Sequence, residues 1–146
     1  METKDFLRQL SEATGVSGYE GGVASLVEEA FRPSIDEARR DKLGNCILLK
    51  RGIGREPRPK VMFAAHMDEI GLMVTKIEDR GFIRFTRVGG IDPRTILAQE
   101  VMVHGKTPLP GVIGAKPPHL TSADEARKAP KMEDMFIDVG LSREEV

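Results

Sequence analysis

The sequence predicts an α/β fold in its first part and a β-rich unit in its second, with a boundary near residue 69. Two helical patterns of apolar residues open the chain, and the uninterrupted apolar run Val61–Ala65 then ends in His66. After Glu69 the pattern changes to short strand-like runs separated by glycine and proline. Helices followed by a mixed set of strands are typical of α/β proteins, whereas short strands with frequent turn residues are typical of small β units.

The composition excludes several classes of partner. The 146 residues include 22 Lys plus Arg and 23 Asp plus Glu, for a formal net charge of −1, so no basic surface for nucleic acid or an anionic membrane is expected. No run reaches the roughly 18 apolar residues of a membrane-spanning helix, and no signal peptide is expected from the charged amino terminus. The single cysteine, Cys46, rules out a disulfide framework and fits a reducing cytoplasm.

Two amphipathic helices are expected at the start of the chain. Thr3 can cap the first, and Gly15 is positioned to end it in a left-handed conformation. Its apolar stripe comprises Phe6, Leu7, Leu10 and Ala13. After a glycine-rich loop, a second stripe continues until Pro33 and comprises Val23, Leu26, Val27, Ala30 and Phe31.

A strand pair and a buried strand are expected next. The extended segment 35–40 turns through Asp41–Asn45 and returns as a strand over 46–50, which indicates a hairpin or sheet-edge pair. Residues 52–59 carry the glycines and prolines of an exposed loop. The run Val61–Ala65 has no polar residue and is too short for a helix, which predicts a strand covered on both faces in a parallel sheet.

The β-rich part is expected to form a small sandwich or barrel. In its second strand, Ile83 and Phe85 alternate with polar residues, which indicates a sheet with one solvent-exposed face. A capping-box pattern at Ser122 and Glu125 also predicts a short helical turn over 122–128. The strand-like runs are Ile70–Glu78, Gly81–Val88, Val101–His104, Gly111–Ala115 and Asp134–Gly140.

His66 and Asp68 form the candidate functional pair. Side chains at i and i+2 of a strand share a face, so the two can meet if extended geometry persists through Met67. In open α/β sheets ligands bind beyond the carboxyl ends of strands, where this pair is expected to lie. A metal-bound imidazole usually donates its second N–H to a carboxylate or carbonyl, so His66 is a candidate metal ligand and Asp68 its orienting partner. The alternative is that Asp68 and Glu69 only open a turn.

Other candidate sites have weaker support. A zinc site formed by His66, His104 and His119 is conceivable, but the spacing matches no recognised pattern. The glycines around Ser17 resemble a phosphate-binding loop, yet the spacing of known phosphate motifs is missing. No histidine is placed to act as a base for a nucleophilic serine.

Seven short motifs, in order and covering nearly the whole chain, resemble the M42 family of metalloaminopeptidases, in which some members carry older endoglucanase or cellulase labels. The motifs are Gly15–Glu20, Asp41–Asn45, Ala65–Gly71, Val88–Ile91, Gly111–Gly114, Lys116–Leu120 and Phe136–Gly140. The resemblance implies an aminopeptidase that removes amino-terminal residues from peptides with two divalent metal ions, zinc or cobalt. It implies a metal-ligand role for His66 and a catalytic, orienting role for Asp68.

The same resemblance implies a domain organisation. Residues 1–69 would be the amino-terminal part of a zinc-peptidase-like catalytic domain, and residues 70–146 an incomplete, inserted β-rich dimerisation domain. The resemblance further implies a homo-oligomer, because family members often assemble as dimers or as dodecamers built from dimers.

The resemblance also implies that the chain is truncated, because the other metal ligands and the general base of the family lie further along the sequence. Two-metal hydrolysis needs several ligands and a base, so the isolated chain is expected to be inactive. Two alternatives remain open: an association module without catalytic activity, and a glycosidase. A glycosidase would need two opposed carboxylates about 5 to 9.5 Å apart, a geometry that sequence does not test.

Overall fold

The chain divides into two units, Met1–Glu69 and Ile70–Val146, in the computed structural model, which describes residues 2–120 and 130–146. The helical turn expected over 122–128 lies outside the described residues. Within the described ranges, no helix combines the length and the apolar character needed to cross a membrane.

The first unit begins with the two expected helices. The first, α1, spans Thr3–Glu12 with Glu2 rather than Thr3 as its N-cap, and the second, α2, spans Gly21–Phe31. A 3-10 turn at Arg32–Ser34 follows, because Pro33 ends the α-helical hydrogen bonding. The rings of Phe6 and Phe31 meet edge to face, with their centroids 6.2 Å apart.

A hairpin completes the regular structure of this unit, as expected. Strands β1 (Glu37–Arg40) and β2 (Cys46–Leu49) pair antiparallel. The Asp41 carboxylate closes the turn by accepting hydrogen bonds from the backbone of Leu43 at 2.9 Å and from the backbone and side chain of Asn45 at 3.0 and 2.8 Å.

The expected strand over Val61–Ala65 is wrong. These residues form no strand, and the side chains of Val61, Met62 and Phe63 are 76, 88 and 94% exposed. A buried strand needs hydrogen-bonding neighbours and covering side chains. The described residues provide neither, because β1 and β2 pair only with each other. The expected parallel sheet is therefore also missing from this unit as described, and its parallel pairing is limited to one bridge between Val16 and Glu69.

The second unit is one five-stranded antiparallel sheet, in the order β3-β4-β7-β6-β5. Each strand overlaps a strand-like run of the sequence. The described residues form a single sheet with β3 and β5 at its edges, rather than the expected two-layer sandwich or closed barrel. The strands are β3 (Gly71–Ile77), β4 (Ile83–Val88), β5 (Glu100–Val103), β6 (Leu109–Gly114) and β7 (Phe136–Asp138).

One face of this sheet carries the core of the second unit. The alternation predicted for β4 is confirmed, since Ile83 and Phe85 are buried while the residues between and after them are more exposed. The buried cluster comprises Ile83, Phe85, Ile113, Met135 and Ile137. The side chain of Arg84 donates hydrogen bonds to the Glu78 carboxylate at 2.9 Å and to the backbone carbonyl of Met135, a member of this cluster, at 3.0 Å.

A short helix, α3 (Pro93–Ile96), was not predicted. Asp92 caps it by accepting a hydrogen bond from the backbone N–H of Arg94 at 2.9 Å. An Asp followed by Pro at the first helical position is the signal that could have identified it.

In β6, truncating a buried side chain should lower the free energy of unfolding more than truncating an exposed one. Ile113→Ala should lower the unfolding free energy of the second unit by about 2–5 kcal/mol, because Ile113 is 2% exposed and its removal leaves a cavity. Val112→Ala is the matched control: the neighbouring side chain is 46% exposed and should cost less than about 1 kcal/mol. Hydrogen exchange of the β4 amides measures both, and equal losses would contradict this assignment of the core.

The Asp92 cap should have a measurable pH dependence. Hydrogen bonds from Arg94, from its side chain first and its backbone second, lower the pKa of Asp92 from 3.8 to about 2. A lowered folded-state pKa stabilises the folded state above the ordinary pKa, and this contribution is lost as the pH falls from 3.8 toward about 2. Carboxyl-carbon NMR titration should find this low value, and Arg94→Gln should raise it. An Asp92 pKa unchanged by Arg94→Gln would exclude the Arg94 side chain as the cause.

Candidate metal-ligand site

A tight turn presents Ser17 beside the candidate pair. The backbone N–H of Tyr19 donates to the carbonyl of Val16 at 2.7 Å, which closes a four-residue turn with Ser17 and Gly18 at its centre. Gly18 has φ +90°, the positive value that a type II turn requires at its third position and that glycine adopts without strain. The turn thereby fixes the backbone from which the Ser17 hydroxyl projects.

Hydrogen bonds of Gly15 join this loop to the segment that carries the candidate pair. The backbone N–H of Glu69 donates to the Gly15 carbonyl at 2.8 Å, and the N–H of Gly15 donates to Oε1 of Glu69 at 3.1 Å. These two bonds place residues 15–17 alongside residues 66–69, although about fifty positions separate them in sequence. Both partners belong to the first unit.

Gly15 is required for close packing, not for the left-handed helix end that was expected. The φ angle of Gly15 is not positive, and α1 is followed by extended backbone at Ala13. A Cβ at Gly15 would lie 2.7 Å from Cγ2 of Val23 and 3.4 Å from the carbonyl oxygen of Met67. Val23 is buried in α2, so a larger residue at position 15 would push the loop away from the helix or from the Met67 backbone.

His66 and Asp68 are in contact, as expected from their spacing, although no strand holds them. The Nδ1 atom of His66 lies 3.0 Å from Oδ1 of Asp68 and 2.9 Å from the Asp68 carbonyl oxygen. An ionised carboxylate and a carbonyl are both acceptors only, so Nδ1 carries the proton in this contact. The neutral ring then keeps its lone pair on Nε2, and the His66 side chain is 84% exposed.

Asp68 uses both carboxylate oxygens to bind neighbouring groups. Oδ1 accepts from His66, and Oδ2 accepts from the Ser17 hydroxyl. The Ser17 hydrogen bond is the largest cause that holds the pKa of the Asp68 carboxyl below its ordinary value of 3.8, with partial burial opposing it and His66 assisting it. Asp68 is therefore placed to orient the imidazole as a carboxylate, and Glu69 is already engaged with Gly15.

The described residues fit one ligand of a metal site and not a complete site. Across ranges 2–120 and 130–146, no group of three or more His, Cys, Asp or Glu side chains is arranged to hold a metal ion. This finding gives no support to the three-histidine site considered for His66, His104 and His119. The Ser17 hydroxyl is not available to donate to a phosphate in this structure, because it already donates to the Asp68 carboxylate.

Ser17 and Glu69 are the members of this cluster whose contacts sequence analysis did not predict. Spacing could not reveal either contact, since Ser17 and Asp68 lie 51 residues apart. The available signal was the presence of both segments, Gly15–Glu20 and Ala65–Gly71, among the seven motifs that suggested a common family.

Known aminopeptidases match this chain over nearly its whole length. A family model described as M42 glutamyl aminopeptidase matches residues 44–146. The lysyl aminopeptidase of Pyrococcus furiosus is 39% identical over 145 residues, which are 97% of this chain and 40% of that protein. The chain thus spans about two fifths of the length of the curated relatives it matches.

Two solved structures are similar in fold. A TET aminopeptidase from the marine sediment archaeon Thaumarchaeota archaeon SCGC AB-539-E09 matches with a TM-score of 0.89 and 36% identity, over 97% of this chain and 39% of that one. The TET1 peptidase of Pyrococcus horikoshii matches with a TM-score of 0.81 and 36% identity, over 99% of this chain and 42% of that one, and is described as assembling into a tetrahedron or a large octahedral shell.

Gly15→Ala should loosen the loop from the segment that carries His66 and Asp68. The added Cβ overlaps Val23 and should cost about 1–3 kcal/mol, as overpacking does in other cores. Hydrogen exchange at the Glu69 amide, which donates to Gly15, should accelerate. Gly21→Ala is the matched control, because its Cβ would meet no atom within 4 Å. The same Glu69 protection in both variants would show that close packing at Gly15 does not hold the loop.

Proposed function

The chain belongs to the M42 glutamyl aminopeptidase family, and we propose on that basis that it forms part of a metal-dependent aminopeptidase, to which it contributes His66 as a metal ligand. The observation that carries this proposal is the contact of His66 Nδ1 with Asp68, which leaves Nε2 of an exposed ring without a hydrogen-bond partner among the described residues. Neutral imidazole is the commonest protein ligand for transition metals, and a carboxylate on its second nitrogen is its usual partner.

Two side chains have separate roles in this proposal. His66 would hold one of two divalent metal ions, zinc or cobalt, through Nε2. Asp68 keeps the proton on Nδ1 and so prevents the ring from turning its N–H toward the ion. When bound, the metal ions would polarise the scissile carbonyl and supply an activated water for hydrolysis of the amino-terminal peptide bond.

The remaining ligands and the general base are proposed to lie in polypeptide outside this sequence. This chain spans about two fifths of its curated relatives, and its described residues contain no complete metal cluster. We therefore propose that the 146 residues alone do not catalyse peptide hydrolysis, and that peptide substrates bind only to the complete protein.

The two units are proposed to have different roles. Residues 1–69 would be the amino-terminal part of a catalytic domain, because they carry His66 and Asp68. Residues 70–146 would be part of an inserted β-rich dimerisation domain, for which the independent antiparallel sheet is the supporting feature. Assembly of the complete protein as a homo-oligomer is proposed from the similarity to the P. horikoshii enzyme. A cytoplasmic location is proposed from the single, unpaired Cys46.

A second candidate function is association without catalysis. The exposed apolar side chains of Val61, Met62 and Phe63 favour it, because adjacent exposed apolar residues commonly mark a surface that binds other polypeptide. The two candidates differ in whether a complete protein binds metal through His66.

The isolated chain should show no turnover of leucine p-nitroanilide with added zinc or cobalt. The reason is that one imidazole cannot hold two metal ions, and the general base is proposed to lie outside this sequence. Release of p-nitroaniline is followed at 405 nm, with a complete M42 aminopeptidase as the positive control. Sustained, metal-dependent turnover by the chain would disprove the proposal that essential groups lie elsewhere.

In a complete protein carrying this sequence, His66→Ala should remove bound metal and aminopeptidase activity together. Asp68→Ala should weaken metal binding by about 10- to 100-fold, as loss of an orienting partner does in other metal sites. His104→Ala is the control, since that exposed histidine lies in the second unit. Metal content by mass spectrometry is measured beside activity. Two tightly bound ions per subunit in His66→Ala would exclude the ligand role of His66.

A further inference from the structure

We propose that Ser17 is a positioning residue: its hydroxyl fixes the Asp68 carboxylate, and through Asp68 it holds the His66 ring with the proton on Nδ1 and the lone pair on Nε2. The chain of contacts is direct, from the Ser17 hydroxyl to Oδ2 of Asp68 and from Oδ1 of Asp68 to Nδ1 of His66. The inference rests on the proposed function only for its consequence, namely the affinity of His66 for a metal ion.

The first argument is that the candidate pair has little other support. Residues 60–68 form no strand, the His66 side chain is 84% exposed and that of Asp68 is 39% exposed. A carboxylate on such a segment can rotate about its Cβ–Cγ bond, and each rotation changes which oxygen faces the imidazole. Among the described contacts, the Ser17 hydroxyl is the one group from a distant segment that binds this carboxylate, so it selects one of these rotations.

The second argument is that contacts other than the Asp68 hydrogen bond hold the backbone of Ser17 in place. The hydrogen bond from Tyr19 to Val16 and the positive φ of Gly18 fix the turn, and the two bonds between Gly15 and Glu69 fix the position of that turn beside residues 66–69. A hydroxyl on a fixed backbone loses little conformational freedom when it donates, so its hydrogen bond orients its partner effectively.

The third argument is that orienting the Asp68 carboxylate and attaching the loop to residues 66–69 depend on different hydrogen bonds. Gly15 and Glu69 already join the two segments through their own hydrogen bonds, and neither bond uses the Ser17 side chain. Removing the hydroxyl should therefore leave the loop attached and release only the carboxylate. This is the difference that the experiment measures.

The experiment uses two-bond proton–nitrogen NMR spectra of the metal-free, 15N-labelled chain at about pH 8, where an ordinary imidazole is neutral. His66→Gln identifies the His66 signals. In the wild-type chain these should show the Nδ1–H tautomer, whereas an imidazole free in water favours Nε2–H. Ser17→Ala should shift His66 toward the Nε2–H pattern, and Ser17→Thr should restore the wild-type pattern because it keeps the hydroxyl. Asp68→Ala should shift the pattern further than Ser17→Ala, but not completely, because the Asp68 backbone carbonyl still accepts from Nδ1.

Ser11→Ala is the matched control, because this hydroxyl belongs to the same unit but donates to the Leu7 carbonyl within α1. It should leave the His66 pattern unchanged. Amide spectra of every variant check the fold. If Ser17→Ala disturbs the first unit, Ser17→Cys retains the size of the side chain with a weaker donor, and a partial shift is then required. An unchanged tautomer in a folded Ser17 variant, or equal shifts in Ser17→Ala and Ser17→Thr, would overturn the proposal.

Metal binding by the complete protein provides the second measurement. Ser17→Ala should weaken it by about 10- to 100-fold, the range found when an orienting partner of a ligand is lost, and Ser17→Thr should restore it. The two proposals fail differently. If the tautomer responds as expected but His66→Ala retains both ions, the ligand role is wrong and the Ser17 contact still orients the ring. If His66→Ala loses metal but Ser17→Ala leaves the tautomer unchanged, the ligand role stands and Ser17 has no positioning role.

Discussion

The candidate site depends on the hydrogen bonds that join the loop at Gly15–Ser17 to residues 66–69. Two bonds between Gly15 and Glu69 bring the segments together, and the Ser17 hydroxyl then reaches the Asp68 carboxylate. The absence of a side chain at Gly15 allows this approach, because a Cβ there would overlap Val23 of α2. The proposed orientation of the exposed His66 ring therefore depends on close packing at Gly15, which brings Ser17 within reach of Asp68.

In this arrangement the candidate ligand His66 is held in place without regular secondary structure. His66 and Asp68 were expected to be held by a strand, yet their segment has no sheet partner among the described residues. Side-chain hydrogen bonds replace the sheet in fixing the pair. The adjacent apolar residues Val61, Met62 and Phe63 remain exposed, so the segment keeps the composition of a buried strand without the neighbours that would bury it.

The two units differ in how far sequence patterns predicted them. In the second unit, the alternation of Ile83 and Phe85 with polar residues identified the core face of β4 correctly. Residues of the same unit bury these two side chains, so the local prediction and the tertiary structure agree. In the first unit, the apolar run over 61–65 depended on partners that its described residues do not supply. An apolar run indicates that a segment needs to be buried, but it does not specify what covers it.

The sequence by itself determined the two opening helices, the hairpin, the strands of the second unit and the contact of His66 with Asp68, because each follows from local periodicity, turn residues or a spacing of two. Tertiary structure decided the roles of Gly15, Ser17 and Glu69. Ser17 and Asp68 lie 51 residues apart, and no period or motif spacing connects them. Their contact exists only because the folded loop brings a hydroxyl donor to a carboxylate that already accepts from an imidazole.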